Sequence, residues 1–242
     1  MVNPKILVSA DAGDIGSAAI RSLSEAGYKI VGCDIKAYSP VSDLIERHYE
    51  VSPAVHVDSY IEQLKMIINT EKIEMFLPIS EPELEIINHW REELELLGIK
   101  LVINNKTILD HFLDKLKTIK YLKKIGIKVP KTMPLATYNN SMEYPLIVKA
   151  RRGYGGKKLW RIEDSLDLCY IKQKDDGSLI IQELIGNEDE DYTTGVFSDG
   201  NLVTSITFKR KLGYGGLSAE VSLAEEPFLE KLARHIGREM KL

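Results

Sequence analysis

The sequence predicts an α/β protein in two parts, a doubly wound, parallel-sheet domain over residues 1–105 and an α+β domain over residues 106–242. Two observations carry the prediction. Short apolar runs of strand character alternate with amphipathic helical stretches through residues 1–105, which implies a parallel sheet with helices on both faces. After residue 106 the pattern changes to paired strands joined by turns such as Ser198-Asp199-Gly200-Asn201, which implies antiparallel hairpins. A length of 242 residues is enough for both parts, and 44% hydrophobic with 28% charged residues is ordinary for a globular chain.

The elements of the first part follow in order. Lys5-Ile6-Leu7-Val8-Ser9 is a short buried strand, and Ala12-Gly13-Asp14-Ile15-Gly16 makes a tight turn into a helix from Ser17 to Glu25 that Gly27 stops. Tyr28 to Asp34 is the second strand. Val57 to Thr70 is helical, with Tyr60, Leu64, Ile67 and Ile68 on one face. Met75 to Pro78 is a strand, Glu81 to Leu97 one helix, and Lys100 to Ile103 the closing strand.

Two spots here invite a functional reading. Gly13 and Gly16 match two of the three glycines of a dinucleotide fingerprint, and Asp34 ends the second strand where a ribose-binding acid sits in such folds. The first glycine position is Ala10, however, and the preferred reading is a tight strand-to-helix connection, whose helix N-terminus can still hold an anion such as a carboxylate. Ser80 and Glu81 lie at the carboxyl end of a strand, where open α/β sheets bind ligands. The spacing of Ser80 and Glu83 favours a capping box instead.

Other classes find little support. A net charge of −4 speaks against general nucleic-acid binding. Cys33 and Cys169 are far apart, each in an apolar or amphipathic stretch, and read as two buried thiols. His48, His56, His89, His111 and His235 show no metal-ligand spacing. The N-terminal residues do not read as a signal peptide, and no apolar run approaches membrane-spanning length, so a cytoplasmic location is expected, with no membrane partner.

The second part holds the chemistry. Asp114-Lys115-Leu116-Lys117-Thr118 opens an amphipathic helix with Leu116, Ile119, Leu122 and Ile125 as its stripe, ended by Gly126. Tyr144 to Lys149 is a strand ending in a lysine, followed by the cationic, glycine-rich stretch Ala150 to Lys158 and a returning strand, Leu159 to Ile162. Such a hairpin brings bare N–H groups and cationic side chains close to phosphate oxygens, although an exposed hairpin with solvated lysines has the same composition. Leu179 to Gly186 is a strand running into a loop, Glu188 to Asp191 an acidic run, and Tyr192 to Phe197 a strand that pairs with Leu202 to Phe208. A second cationic glycine loop spans Lys209, Arg210, Lys211 and the residues to Gly216. Phe228, Leu232, Ile236 and Met240 form an apolar stripe on the last helix, and the expectation is that something else covers it.

With these residues in place, the sequence resembles the ATP-grasp superfamily, in the branch of the carbamoyl phosphate synthetase large subunit and biotin carboxylase. Five features match in order: Asp114-Lys115, Lys149, the Gly155-Gly156 loop, the Gln182-to-Ile185 hinge and the acidic turn before Tyr192. The resemblance implies that residues 1–105 are a Rossmann-like pre-ATP-grasp domain and residues 106–242 an incomplete ATP-grasp domain, with 130–185 as its glycine-loop subdomain. It implies an ATP-dependent ligase that joins a small-molecule carboxylate to an amine or similar nucleophile, without a side-chain nucleophile and possible as a homodimer. Lys115 and Lys149 would contact the ATP phosphates, and Gly155 and Gly156 would cover them. Gln182 would touch the adenine amino group, and the backbone of Glu183 and Ile185 the adenine edge. Asp191 would hold the ribose hydroxyls, where the family usually has Glu, and Lys209, Arg210 and Lys211 would meet phosphate or acceptor. The family's Mg²⁺ ligands come later in its sequence, so they are expected beyond Leu242, which raises the prospect that this 242-residue form is inactive. Glu220 and Glu225 are read as solvated or capping residues. Two other readings stand beside this one: an NAD(P)-dependent epimerase or reductase, resting on Gly13, Gly16 and Asp34, and a non-catalytic nucleotide-binding module.

Overall fold

The fold is taken from a computed structural model, which describes residues 3–153, 158–187, 190–213 and 218–242. The chain forms two compact units, Met1–Leu109 and Asp110–Leu242.

The first unit is a five-stranded parallel sheet built from β1 (Lys5–Ser9), β2 (Lys29–Asp34), β3 (Arg47–Glu50), β4 (Met75–Leu77) and β5 (Lys100–Leu101), in the order β3-β2-β1-β4-β5. Between the strands run α1 (Asp14–Glu25), α2 (Val57–Glu71), α3 (Glu81–His89) and α4 (Arg91–Glu95). Alternation along β1 explains how both faces are covered. Leu7 points into one core with Val31, Phe76, Tyr60 and Leu64, while Ile6 and Val8 point into the other with Ile20 and Ile30. Each such fully buried side chain contributes roughly 1.5–3 kcal/mol.

Two corrections belong to this unit. The helix expected over Glu81 to Leu97 is two helices, because Trp90 leaves helical geometry (φ −93°, ψ 14°) as its ring packs against the core. Cys33 is buried as expected, but Cys169 in the second unit is exposed: α7 (Ser165–Lys172) buries Leu168 and Ile171 instead.

In the second unit, α5 (Lys106–Phe112) leads into α6 (Lys115–Lys124). A four-stranded antiparallel sheet follows, β6 (Thr132–Pro134), β7 (Leu146–Ala150), β8 (Leu159–Ile162) and β9 (Leu179–Glu183), ordered β6-β9-β7-β8. One of its faces carries Leu146, Val148 and Ile181 and closes on Leu168 and Ile171 of α7. A three-stranded antiparallel sheet comes next, β10 (Asp191–Ser198), β11 (Val203–Leu212) and β12 (Ser218–Leu223). Lys209, Arg210 and Lys211, expected in a loop, are therefore part of β11; they pair with Tyr192 and Asp191 on one side and with β12 on the other.

The last helix, α8 (Pro227–Glu239), lies on this sheet. Gly237 allows the approach: a Cβ there would stand 3.0 Å from Val203 Cγ1 and 3.2 Å from Val196 Cγ1. The stripe expected to need outside cover is thus largely covered by the chain's own sheet, with Ala233 and Gly237 buried and Leu232, Ile236 and Met240 half-buried. Phe228 alone of the stripe stays exposed, at 73%. No helix among the described residues is long and apolar enough to cross a membrane.

Candidate functional site

Strand pairing decides where the first lysine goes. Ile147 lies opposite Gln182 and Lys149 opposite Ile180, so Lys149 and Gln182 share the sheet face that points away from the α7 core. The Lys149 ammonium donates to Gln182 Oε1 at 2.8 Å, and Gln182 Nε2 donates to Thr132 Oγ1 at 2.6 Å. The two bonds fix the amide, oxygen toward the ammonium and nitrogen toward the hydroxyl. Burial, and then the charge of Lys115, push the Lys149 pKa below its usual value. Lys115 Nζ in turn donates to the Gly153 carbonyl at 2.8 Å. Both ammoniums therefore rest on neutral oxygens, and neither forms an ion pair with a carboxylate among the described residues.

Asp114 holds this arrangement from below. It caps α6, accepting from the N–H groups of Leu116 (3.0 Å) and Lys117 (3.2 Å). The same carboxylate receives the Arg151 guanidinium, with Nε at 2.9 and 3.0 Å and Nη2 at 2.8 Å, and Arg152 Nε lies 3.6 Å away. Burial opposes its ionisation, but Arg151 and the helix N–H groups more than compensate and hold the pKa below the ordinary value. A backbone bond from Lys115 N to Arg151 O at 3.0 Å completes the joint. The start of α6, which carries Lys115, is thus fastened to the end of β7, which carries Lys149. In the sequence Asp114 stood out only as part of Asp-Lys; Arg151 and Thr132 had no role, and the one signal for Arg151 was its place in a cationic stretch.

The remaining predicted residues lie around this arrangement. Glu183 Oε1 accepts from the Lys131 N–H at 2.7 Å, and the side chain of Ile185 is 67% exposed. Both line a cleft of about 920 Å³ that also takes in Lys120, Lys123, Lys128, Lys131 and Thr132, the partner of Gln182, but neither Lys115 nor Lys149. Asp191 lies opposite Arg210 across β10 and β11 and accepts from its Nε at 2.8 Å and Nη2 at 2.7 Å. Lys211 faces Glu220 at 3.5 Å, both well exposed. Gly155 and Gly156, and Glu188 and Asp189 of the acidic run, lie outside the described residues. Among the described residues no group of three His, Cys, Asp or Glu side chains is arranged to hold a metal ion.

In the first unit the side chains flanking the carboxyl edge of the sheet serve each other. Asp34 Oδ2 accepts from Ala12 N at 3.1 Å and its Oδ1 from Lys36 N at 3.0 Å, so this carboxylate ties two loops together. A Cβ on Gly16 would overlap the Ala10 carbonyl, which explains the glycine by helix-to-strand packing. The capping box of Ser80 and Glu83 is present. Glu83 is also buried and accepts from Tyr60 OH at 2.6 Å and Ser9 Oγ at 2.8 Å, a cluster the sequence did not announce. His48 bridges the Asp11 carboxylate at 2.9 Å and the Lys36 carbonyl at 2.8 Å.

Comparison with known proteins agrees with the geometry of both units. Residues 112–234 match the family profile described as ATP-grasp domain, and residues 13–102 match the PylC-like N-terminal domain. The chain belongs to the ATP-grasp family. Among solved structures it is similar to the biotin carboxylase domain dimer of Hydrogenobacter thermophilus 2-oxoglutarate carboxylase in complex with MgADP, ADP and bicarbonate, with a TM-score of 0.76 and 17% identity over 100% of this chain and 59% of that one. It is similar to the L-amino acid ligase from Bacillus licheniformis, with a TM-score of 0.75 and 15% identity over 98% of this chain and 60% of that one. Carboxyaminoimidazole ribonucleotide synthase from Aspergillus clavatus, complexed with ATP, gives a TM-score of 0.74 and 15% identity over 98% and 62%. The ATP-grasp chain thus spans 59 to 62% of the length of these three proteins. At such identities the likeness establishes the fold. A search of curated proteins returned no match.

Proposed function

We propose that this ATP-grasp chain binds ATP and belongs to a ligase that joins a small-molecule carboxylate to an amine or similar nucleophile. The carrying observation is the pair of cationic side chains, Lys115 and Lys149, held near each other on neutral oxygens, with no carboxylate partner among the described residues. A site kept in that state attracts a polyanion, and the ATP and ADP complexes of the structural neighbours support a nucleotide as that anion. In this reading Lys115 and Lys149 bind phosphate oxygens, and Gly155 and Gly156 cover them. Gln182 and the backbone of Glu183 and Ile185 take the adenine, and Asp191, oriented by Arg210, takes the ribose. Lys209 and Lys211 remain for phosphate or acceptor.

The reaction balances without a protein nucleophile. A carboxylate oxygen attacks the γ-phosphorus, the bond to the ADP oxygen breaks, and an acylphosphate forms. The amine then attacks the acyl carbon, phosphate leaves with the bonding pair, and the nitrogen loses a proton. The chain's own contribution is positioning and charge neutralisation by the two ammoniums. Mg²⁺ is the usual ion of phosphoryl transfer, but the described residues offer no ligand group for it, and no step is assigned to it.

A thermal-shift titration tests the reading, because a ligand that binds only the folded state raises the midpoint by mass action. ADP is expected to raise the melting temperature, and NAD(H) to leave it unchanged. A shift with NAD(H) and none with ADP would overturn the proposal in favour of a nicotinamide enzyme.

A further inference from the structure

Asp11 is fully buried in the first unit, at the turn from β1 into α1. Its carboxylate lies against β2, where a Cβ on Gly32 would overlap Oδ2. Its Oδ1 has no hydrogen-bond partner among the described residues, and no lysine or arginine among them pairs with it. The side chain bonded to it is His48 of β3, itself largely buried, whose Nδ1 stands 2.9 Å from Oδ2. The other ring nitrogen, Nε2, lies 2.8 Å from the Lys36 carbonyl. A carbonyl only accepts, so Nε2 carries a proton. A neutral ring then turns a lone pair from Nδ1 toward Asp11, and an ionised carboxylate answers with another. Two lone pairs at 2.9 Å need a proton between them. The surrounding groups do not supply it. Asp34 holds the N–H groups of Ala12 and Lys36, and the Lys36 ammonium lies 5.8 Å from the centre of the Tyr38 ring. Arg47 of the same strand pairs with Glu71, and Glu46 with Lys5 and Lys29. Asp14 opens α1, Asp43 lies in the turn Ser42–Leu44 and Glu50 follows on the same face of β3, all acidic. The Cys33 thiol stays protonated, because burial first, and then the charges of Glu83, Asp11 and Asp34, push its pKa well up.

We infer that Asp11 and His48 share one proton, and that this proton closes a latch joining the β1–α1 turn, the loop after β2 and strand β3, which lets go as pH rises. The unfolded chain lacks the contact, so above about pH 6.5 its histidine is neutral and its aspartate ionised. The folded pair then holds one proton more than the unfolded chain. The latch's contribution is therefore fully present below that pH and is lost as pH rises. One extra proton in the folded state raises the unfolding equilibrium constant about tenfold per pH unit. The segments joined border the carboxyl edge of the sheet. Among them is Ala10, held at φ 49° in left-handed backbone that alanine adopts at a cost, so release of the latch frees a turn that is not at its own minimum.

The test compares the full wild-type chain with Asp11→Asn. In the variant the amide donates to Nδ1 of a neutral ring, so the same bridge closes without a shared proton. Two readouts are taken from about pH 6 to about pH 9, on either side of neutral histidine titration. One is trypsin cleavage after Lys36, whose carbonyl is the acceptor of the latch. The other is the urea midpoint of the first unit, followed by Trp90 fluorescence in a Trp160→Phe background. Because both chains are measured at each pH, the protease's own pH dependence and the titration of other groups cancel. Relative to the variant, wild type is expected to be cut faster and to lose stability as pH rises, its unfolding constant growing by up to about tenfold per pH unit. Should Asp11→Asn fail to fold, His48→Gln, whose amide donates without titrating, carries the same expectation. Parallel curves in either readout overturn the inference, and so does a wild-type chain that gains on the variant as pH rises. No nucleotide enters the experiment, so its outcome is independent of the nucleotide reading.

Discussion

Replacing Asp114 by asparagine separates the two tasks of that residue. Asparagine caps a helix about as well as aspartate, so the bonds from Leu116 N and Lys117 N survive in Asp114→Asn. What is lost is the carboxylate charge under Arg151, whose Nε and Nη2 make short contacts to both oxygens. Hydrogen bonds between charged groups contribute about 1.5–3 kcal/mol. Breaking a fully buried pair costs more, but the Arg151 side chain is 43% exposed and water takes up part of its charge. The expected loss is therefore about 2 kcal/mol, or a drop of about 1 M in the urea midpoint for a typical slope. The chain has two tryptophans, Trp90 in the first unit and Trp160 in β8 of the second. In a Trp90→Phe background the fluorescence of Trp160 reports unfolding of the second unit alone, which avoids forcing two units onto one transition. The pH dependence supplies an independent check. The folded pKa of Asp114 is depressed from its usual 3.8, so its contribution is fully present above that value and is lost as pH falls through the folded pKa. The gap between wild type and Asp114→Asn is expected to close in acid. An unchanged Trp160 midpoint, or a gap that persists undiminished at about pH 2, would refute the role given to the Asp114–Arg151 joint.

Lys149→Ala is expected to weaken ATP by about 1.5–3 kcal/mol while leaving AMP nearly unaffected, measured by calorimetric titration of both nucleotides; equal losses would show that Lys149 does not meet the distal phosphates. Because the folded pKa of Lys149 is already lowered and phosphates need its charged form, wild-type ATP affinity should fall as pH rises through that lowered pKa, which the same titration across alkaline pH checks. Gln182→Glu places a carboxylate 2.8 Å from the Lys149 ammonium, so it should stabilise the second unit by about 1 kcal/mol and weaken ATP roughly tenfold, read by Trp160 fluorescence and titration respectively. Gly16→Ala drives a Cβ into the Ala10 carbonyl and should destabilise the first unit by about 1–3 kcal/mol, followed through Trp90 fluorescence in a Trp160→Phe background.

What the sequence made legible follows the range over which each signal acts. Periodicity is local, so the strands at Lys5–Ser9 and Lys29–Asp34, the helix stopped by Gly27 and the Ser80–Glu83 box all stand in the structure near where the residues place them. β3 was invisible because Arg47-His48-Tyr49-Glu50 is an edge strand and has no apolar run. The break at Trp90 is a tertiary effect, a ring drawn into the core against good helical propensity on both sides. Lys209 to Lys211 looked like a loop because three successive cations suggest solvent, whereas β10 offers Asp191 to the middle one. The strand lysine at 149 and the hinge glutamine at 182 could be singled out one at a time. Their contact spans 33 residues and the Asp114–Arg151 contact spans 37, and no local pattern reports a pairing at that distance.

The charges of the second unit are divided so that, among the described residues, Lys115 and Lys149 have no carboxylate partner. Arg151 and Arg152 follow Lys149 after one residue, Ala150, and without Asp114 they would add two more positive charges at the same end of the sheet. Asp114 absorbs them, and its own ionisation is secured in return. Lys115 and Lys149 receive a carbonyl and an amide oxygen instead, partners that orient an ammonium without cancelling it. Burial first, and then the like charge of Lys115, make the charged form of Lys149 costly in the folded chain, which its lowered pKa reflects. On the proposed reading, a phosphate group bound by the two ammoniums offsets that cost. On that reading, part of the affinity for a polyanion is stored in the unliganded fold, in glutamine rather than glutamate at position 182 and in the placement of buried Asp114 under the arginines rather than between the lysines.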